Sequence, residues 1–135
     1  MPEPLELIVL FTAIVMGSVG QISMKAGMNA VREKSGGDLG PIVPSLIKAF
    51  SNLRVVFGIG IYVLSTVLWL WVLKKIPLSF AYPCISVSYI IIIFAGRLLF
   101  RERIDRWKIA AIILILAGVI FMGLSESRGL IGIER

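Results

Sequence analysis

Four stretches of this chain, 5–30, 55–73, 79–100 and 107–124, are apolar for close to the about 20 residues that a helix needs to cross roughly 30 Å of hydrocarbon. In lipid every backbone N–H and C=O must find its partner inside its own segment, so these stretches are read as helices and not as strands. The expected fold is an all-α integral membrane protein in which one domain, 1–135, holds four transmembrane helices. Composition agrees, because 58% hydrophobic residues and a mean hydropathy of +0.95 leave too little polar surface to cover a soluble domain of this size. The first stretch follows the acidic MPEPLE without a basic leader or a small-residue cleavage site, and is read as a retained helix.

The connections are uneven. Residues 31–54 form the longest one, in which SGGDLGP reads as a flexible turn. Pro44 and Ser45 either start a short surface helix carrying Leu46, Phe50 and Leu53 on one face, or belong to an irregular loop. Lys74, Lys75 and Pro77 end the second span so abruptly that spans two and three are expected to be antiparallel neighbours. RERIDRWK separates spans three and four, and SESRGLIGIER is expected to form a tail with little to pack against.

A net charge of +6 is spread around the apolar spans, which suits anionic lipid rather than nucleic acid. Arg32, Lys34, Lys48, Arg54, Arg101, Arg103, Arg106 and Lys108, together with Lys25 and Arg97, make ten basic residues on one side. Lys74, Lys75, Arg128 and Arg135 make four on the other, so both termini are expected outside the cytoplasm.

All eight acids, Glu3, Glu6, Glu33, Asp38, Glu102, Asp105, Glu126 and Glu134, are assigned to termini and connections. A carboxylate within the membrane is the usual seat for exchanging protons against organic cations, and here that seat is missing. The intramembrane polar groups are cationic, hydroxylic, amide and aromatic, a set that suits an anionic or sugar-bearing ligand. With no histidine and the single Cys84, Cys/His metal sites, disulfide frameworks and thiol-imidazole catalysis are excluded, and neither a cofactor nor an enzyme activity is expected.

Span three is the most informative. Tyr82, Ser86, Tyr89, Ile93 and Arg97 recur at helical spacing and share a stripe, with Ser88 beside it. Tyr82 suits an interfacial anchor, whereas Tyr89, near mid-span, is expected to meet a polar cavity or an interhelical partner. Arg97 either snorkels to the headgroups or grips a phosphate with its planar fork. On span one, Gly17, Gln21 and Lys25 follow at four-residue spacing; the glycines there suit close helix packing, and the Gln21 amide needs partners. On span two, Tyr62, Ser65 and Trp69 lie close in helical register, and Trp69 belongs either to an aromatic belt or to the wall of a groove. Span four, with its small residues, reads as a packing or dimerisation helix.

SVGQISMKAGM (18–28), WLWVLKKIPLSFAYPCISVSY (69–89) and RLLFRERIDRWKIAAIILILAGVIFMG (97–123) resemble the drug/metabolite transporter superfamily, and within it the four-helix proteins related to the small multidrug resistance family. The closer likeness is to the subunits that flip aminoarabinose-phosphoundecaprenol. It rests on Gly20, Gln21 and Lys25, on Leu78, Ser79, Ala81 and Tyr82, and on the basic residue at Arg97. The drug antiporters of the superfamily have a glutamate where this chain has Gly17.

The resemblance implies a multi-pass inner-membrane transporter or flippase for a polyprenyl-phosphate-linked sugar or similar anionic amphiphile. It would work among membrane lipids as a homodimer or as a heterodimer with a related subunit. Substrate-binding residues are expected at Gln21, Lys25, Trp69, Tyr82, Ser86, Ser88, Tyr89 and Arg97. The alternative is a small multidrug resistance-type exporter of small cations or metabolites, with aromatic faces in place of the absent acid.

Overall fold

The structure is a computed structural model that describes residues 3–38 and 40–132, with 123 and 126–132 described by backbone alone. It contains five helices: α1 (Pro4–Lys34), α2 (Ile42–Phe50), α3 (Leu53–Leu73), α4 (Leu78–Leu99) and α5 (Arg106–Gly132). Among the described residues α1, α3 and α4 are long and apolar enough to cross a membrane, and the exposed Leu, Ile, Val and Phe side chains along them are what lipid-facing helices present. The chain is a multi-pass helical membrane protein.

Local chemistry explains the helix ends. Pro4 occupies the first turn of α1, where its missing N–H costs nothing, and Glu6 reaches back to the Glu3 N–H at 3.0 Å in a capping box. Glu6 is therefore buried in the first turn of α1, and Glu33 lies in its last turn. The assignment of every acid to a terminus or connection is thus too simple. The first helix runs four residues past its expected end and stops where Gly36 and Gly37 take φ of +75° and +93°, a left-handed turn closed by the Arg32 side chain on the Gly37 carbonyl at 2.9 Å.

The connection after α1 holds the surface helix as α2. It starts at Ile42, before Pro44, which is tolerated because it still falls in the first turn. Ser45 and Ala49 face inward, whereas Leu46, Phe50 and Leu53 are exposed on the outer side. Asn52 then caps α3, its side chain accepting the Arg54 N–H at 2.9 Å. The expected tail is a further correction: 125–132 continues α5 without a break, and the last three residues, Arg135 included, lie outside the described residues.

The seam between α1 and α3 fixes the packing. At Gly20 and Gly58 the two backbones meet directly, since a Cβ on Gly20 would stand 2.8 Å from the Gly58 carbonyl and one on Gly58 would stand 2.7 Å from that of Gly20. Gly27 lies against Val55 at one end, and the Ser23 hydroxyl donates to the Arg54 carbonyl at 2.9 Å. Small residues thus let α3 lie on α1 closely enough for dispersion to act between main chains. At the far end Leu10, Ile14, Val72, Ile76 and Ala81 form a buried core from α1, α3, the following turn and α4.

α1 consequently sits between α3 and α4, packing on both. The turn at residues 74–77 holds only the ends of α3 and α4 together, so the two diverge along their length instead of packing as neighbours. α5 attaches to α4 and leaves most of its side chains exposed.

Candidate functional site: the cleft between diverging helices

Where α3 and α4 part, they and α1 wall a cleft of about 220 Å³. α1 contributes Ala13, Ile14, Gly17, Ser18 and Gln21, α3 contributes Tyr62, Ser65, Thr66 and Trp69, and α4 contributes Ile85 and Ser88. None of these is a carboxylate, a lysine or an arginine, so the cleft sets hydroxyl and amide groups among apolar walls and carries no formal charge.

Most of its hydroxyls are satisfied within their own helix. Ser18 donates to the Ile14 carbonyl at 2.8 Å, and Ser65 and Thr66 both donate to that of Tyr62 at 2.8 and 2.9 Å. Gln21 and Ser88 make no side-chain hydrogen bond among the described residues, so an amide and a hydroxyl keep their donors and acceptors for whatever enters. Gly17 is buried on the α1 wall, where a Cβ would come within 3.2 Å of the Ser65 hydroxyl. Trp69 takes the groove-wall position, and Tyr82 meets it edge to face with ring centroids 6.1 Å apart and planes at 76°.

One helical turn beyond Gln21, Lys25 leaves the cleft and meets the connection between α4 and α5. Its ammonium forms an ion pair with Glu102 and stands 5.0 Å from the centre of the Phe100 ring. That contact depends on a reversal of the chain: Arg101 adopts φ of +53°, the Glu102 N–H donates to the Gly96 carbonyl at 3.0 Å, and a Cβ on Gly96 would collide with the Glu102 carboxylate at 2.9 Å. The hydrogen bond from Lys25 holds the Glu102 carboxyl below the usual glutamate range; partial desolvation opposes this, and the charges of Lys25 and Lys108 reinforce it. Arg97 donates to the Glu102 carbonyl at 3.4 Å.

The expected site residues therefore divide. Gln21, Ser88 and Trp69 share the cleft, with Tyr82 against Trp69. Ser86 is buried on α4 and donates to the Pro83 carbonyl at 2.6 Å, which occupies its hydroxyl. Tyr89 is 50% exposed on the outer side of α4 and is not part of the cleft wall. Lys25 and Arg97 lie on one side, as expected, but Glu102 sits between them, so the pair is not purely cationic.

A family model described as the EamA-like transporter family matches residues 39–124. The chain belongs to that family. Among curated proteins, this EamA-like transporter is 28% identical over 116 residues to the probable 4-amino-4-deoxy-L-arabinose-phosphoundecaprenol flippase subunit ArnE of Pseudomonas savastanoi pv. phaseolicola, a match that covers 86% of this chain and 95% of the relative. It is 30% identical over 126 residues to the probable flippase subunit ArnF of Shewanella sediminis, covering 86% of each. Against the corresponding ArnF protein of Photorhabdus laumondii identity rises to 44% over 71 residues, 51% of this chain and 56% of the relative. No solved structure matches.

The EamA-like chain also places in the cleft residues that were not among the expected binding set. Ser18, Ser65, Thr66 and Tyr62 line it, and the spacing of Tyr62, Ser65 and Trp69 along one face of α3 was the signal for three of that face's positions. Glu102 had no such signal, because only the reversal at Arg101 brings it back to the helix ends.

Proposed function

We propose that this EamA-like transporter moves a polyprenyl-phosphate-linked sugar, or a similar anionic amphiphile, between the leaflets of the inner membrane. The observation that carries the reading is a cleft that sets amide, hydroxyl and aromatic groups among small and apolar ones and contains no carboxylate. Such a lining hydrogen-bonds a sugar head and has no fixed charge to hold a cation or repel an anion. The flippase names of its relatives support the same substrate class.

In this reading α5 is the fourth span, and the chain pairs with a second copy or a related subunit, which gives the exposed Tyr89 and α5 a neighbour. Gln21 and Ser88 hold the sugar head in passage, Trp69 and Tyr82 flank it, and Ser86 supports the α4 wall. Lys25 receives the phosphate in exchange for the Glu102 carboxylate, with Arg97 adjacent. Alternating exposure of the cleft to the two sides completes transfer.

Purified protein in liposomes carrying a labelled lipid-linked sugar in one leaflet tests this directly. Label appearing in the opposite leaflet at a protein-dependent rate is expected, and label that stays where it began overturns the proposal. Trp69 in the cleft wall favours a second reading, an exporter of small cations held on aromatic faces. Ligand-induced proton release by the purified protein would decide for that alternative.

A further inference from the structure

α4 and α5 enclose a second cleft, of about 750 Å³, that shares no residue with the central one. Its α4 wall is Ile90, Ile93 and Phe94, and its α5 wall includes Ile109, Ile112 and Leu116. At one end, where α4 gives way to the connection, stand Arg97 and Arg103. The cleft is thus hydrocarbon over the about 10 Å of helix between Ile90 and Arg97, and doubly cationic at its mouth.

Both parts need an occupant. An apolar cleft on a membrane helix pair offers water no partners, and left empty its lining would forgo dispersion contacts, so a hydrocarbon chain is the natural filling. Among the described residues no carboxylate pairs with either arginine: Glu102 is engaged by Lys25, and Asp105 accepts from the Arg106 N–H at 2.8 Å. Two guanidinium groups without an acid are complementary to a phosphate, whose oxygens match their planar forks. The central cleft, at about 220 Å³ and with the Gln21 amide and Ser88 hydroxyl in its wall unengaged among the described residues, suits a head and not a chain.

We propose that the α4–α5 cleft is where the lipid substrate docks from the bilayer, with the head-proximal part of its polyprenyl chain between Ile93, Phe94, Ile109 and Ile112 and its phosphate on Arg97 and Arg103. The proposal rests on the flippase reading, and it gives Arg97 a different companion from Lys25. Docking here leaves the sugar head at the membrane surface, on the side where Lys25 and the Glu102 connection lie.

The test uses the intact protein in nanodiscs of neutral phosphatidylcholine and a polyprenyl monophosphate with a photoreactive group in its first isoprene units. Crosslinks on unaltered protein, mapped by mass spectrometry, are expected on facing residues of α4 and α5. Arg97→Ala and Arg103→Ala are each expected to weaken probe binding by about tenfold, and Ile112→Trp, which fills the cleft, by at least as much. Crosslinks in the central cleft or spread over every lipid-facing helix would overturn the site. So would unchanged binding in both arginine variants, or equal competition by phosphatidylglycerol, which would make the occupant a bulk phospholipid. Translocation is read separately. Crosslinking in the cleft without any transfer of lipid-linked sugar removes the flippase reading and leaves the site, whereas undiminished transfer by a variant carrying both Arg103→Ala and Ile112→Trp removes the site and leaves the reading.

Discussion

Lys25 on α1 and Glu102 in the connection after α4 form an ion pair across 77 residues of sequence. Their side chains are 46% and 44% exposed, so the pair is solvated, screened by salt and easily exchanged. It joins the first helix to the far end of the fourth and keeps an anion beside the one lysine that extends the cleft-facing stripe of α1.

Acid should dissolve this link. Because Lys25 lowers the folded pKa of Glu102 below the ordinary glutamate value of 4.5, the stabilisation is complete above 4.5 and is lost as the pH falls through the lower folded value. Thermal unfolding in detergent is expected to show wild type ahead of Glu102→Gln at neutral pH, the two converging in acid below 4.5. A gap that persists unchanged into acid would contradict the assignment.

The glycine seam predicts a sharp contrast among alanine substitutions. Gly20→Ala and Gly58→Ala push a Cβ into a facing backbone carbonyl, and each is expected to cost about 1–3 kcal/mol of stability as overpacking. Gly60→Ala and Gly118→Ala meet nothing within 4 Å and should leave the melting temperature close to wild type or raise it. Differential scanning fluorimetry on the four variants provides the comparison.

Gly17→Glu should change what the protein accepts. The new carboxylate would enter a cleft that is otherwise uncharged, beside a Ser65 hydroxyl that can rotate aside. Transfer of the anionic lipid-linked sugar is expected to fall at least about tenfold through charge repulsion, while binding of a quaternary ammonium dye, followed by fluorescence, appears where wild type shows none.

Gln21→Leu removes an amide that no group among the described residues satisfies. Because nothing in the fold depends on it, stability should hold within about 0.5 kcal/mol, whereas transfer of the lipid-linked sugar should drop about tenfold. Equal losses of stability and transfer would assign Gln21 to packing.

Hydropathy made the membrane helices legible, because burying a backbone in lipid leaves few solutions; it located helix ends less well. α1 runs on to Lys34 because VREK continues a helix until Gly36 and Gly37 turn the chain, and polar SESR extends α5 where a window of apolar residues has already ended. In the site, Gln21 was legible as an amide that lipid would not tolerate unpartnered, whereas Ser88 was only placed beside the stripe of α4 and Trp69 fitted an aromatic belt as well as the wall it takes. Tyr89 obeys the same rule in sequence and yet lies half-exposed on the outside of the chain. The divergence of α3 from α4 was hidden because a short turn constrains where helices start, not whether they stay together.

Main chain resting on main chain at Gly20 and Gly58, with Met24, Val55 and Ser65 packed around that crossing, ties α1 and α3 together along one seam. In the proposed translocation, the swing that opens the cleft first to one leaflet and then to the other therefore falls to α4, whose ladder is already interrupted at Pro83. In that cycle α1 and α3 stand still, and the helix that moves is the one bearing Ser88, Arg97 and the attachment of α5.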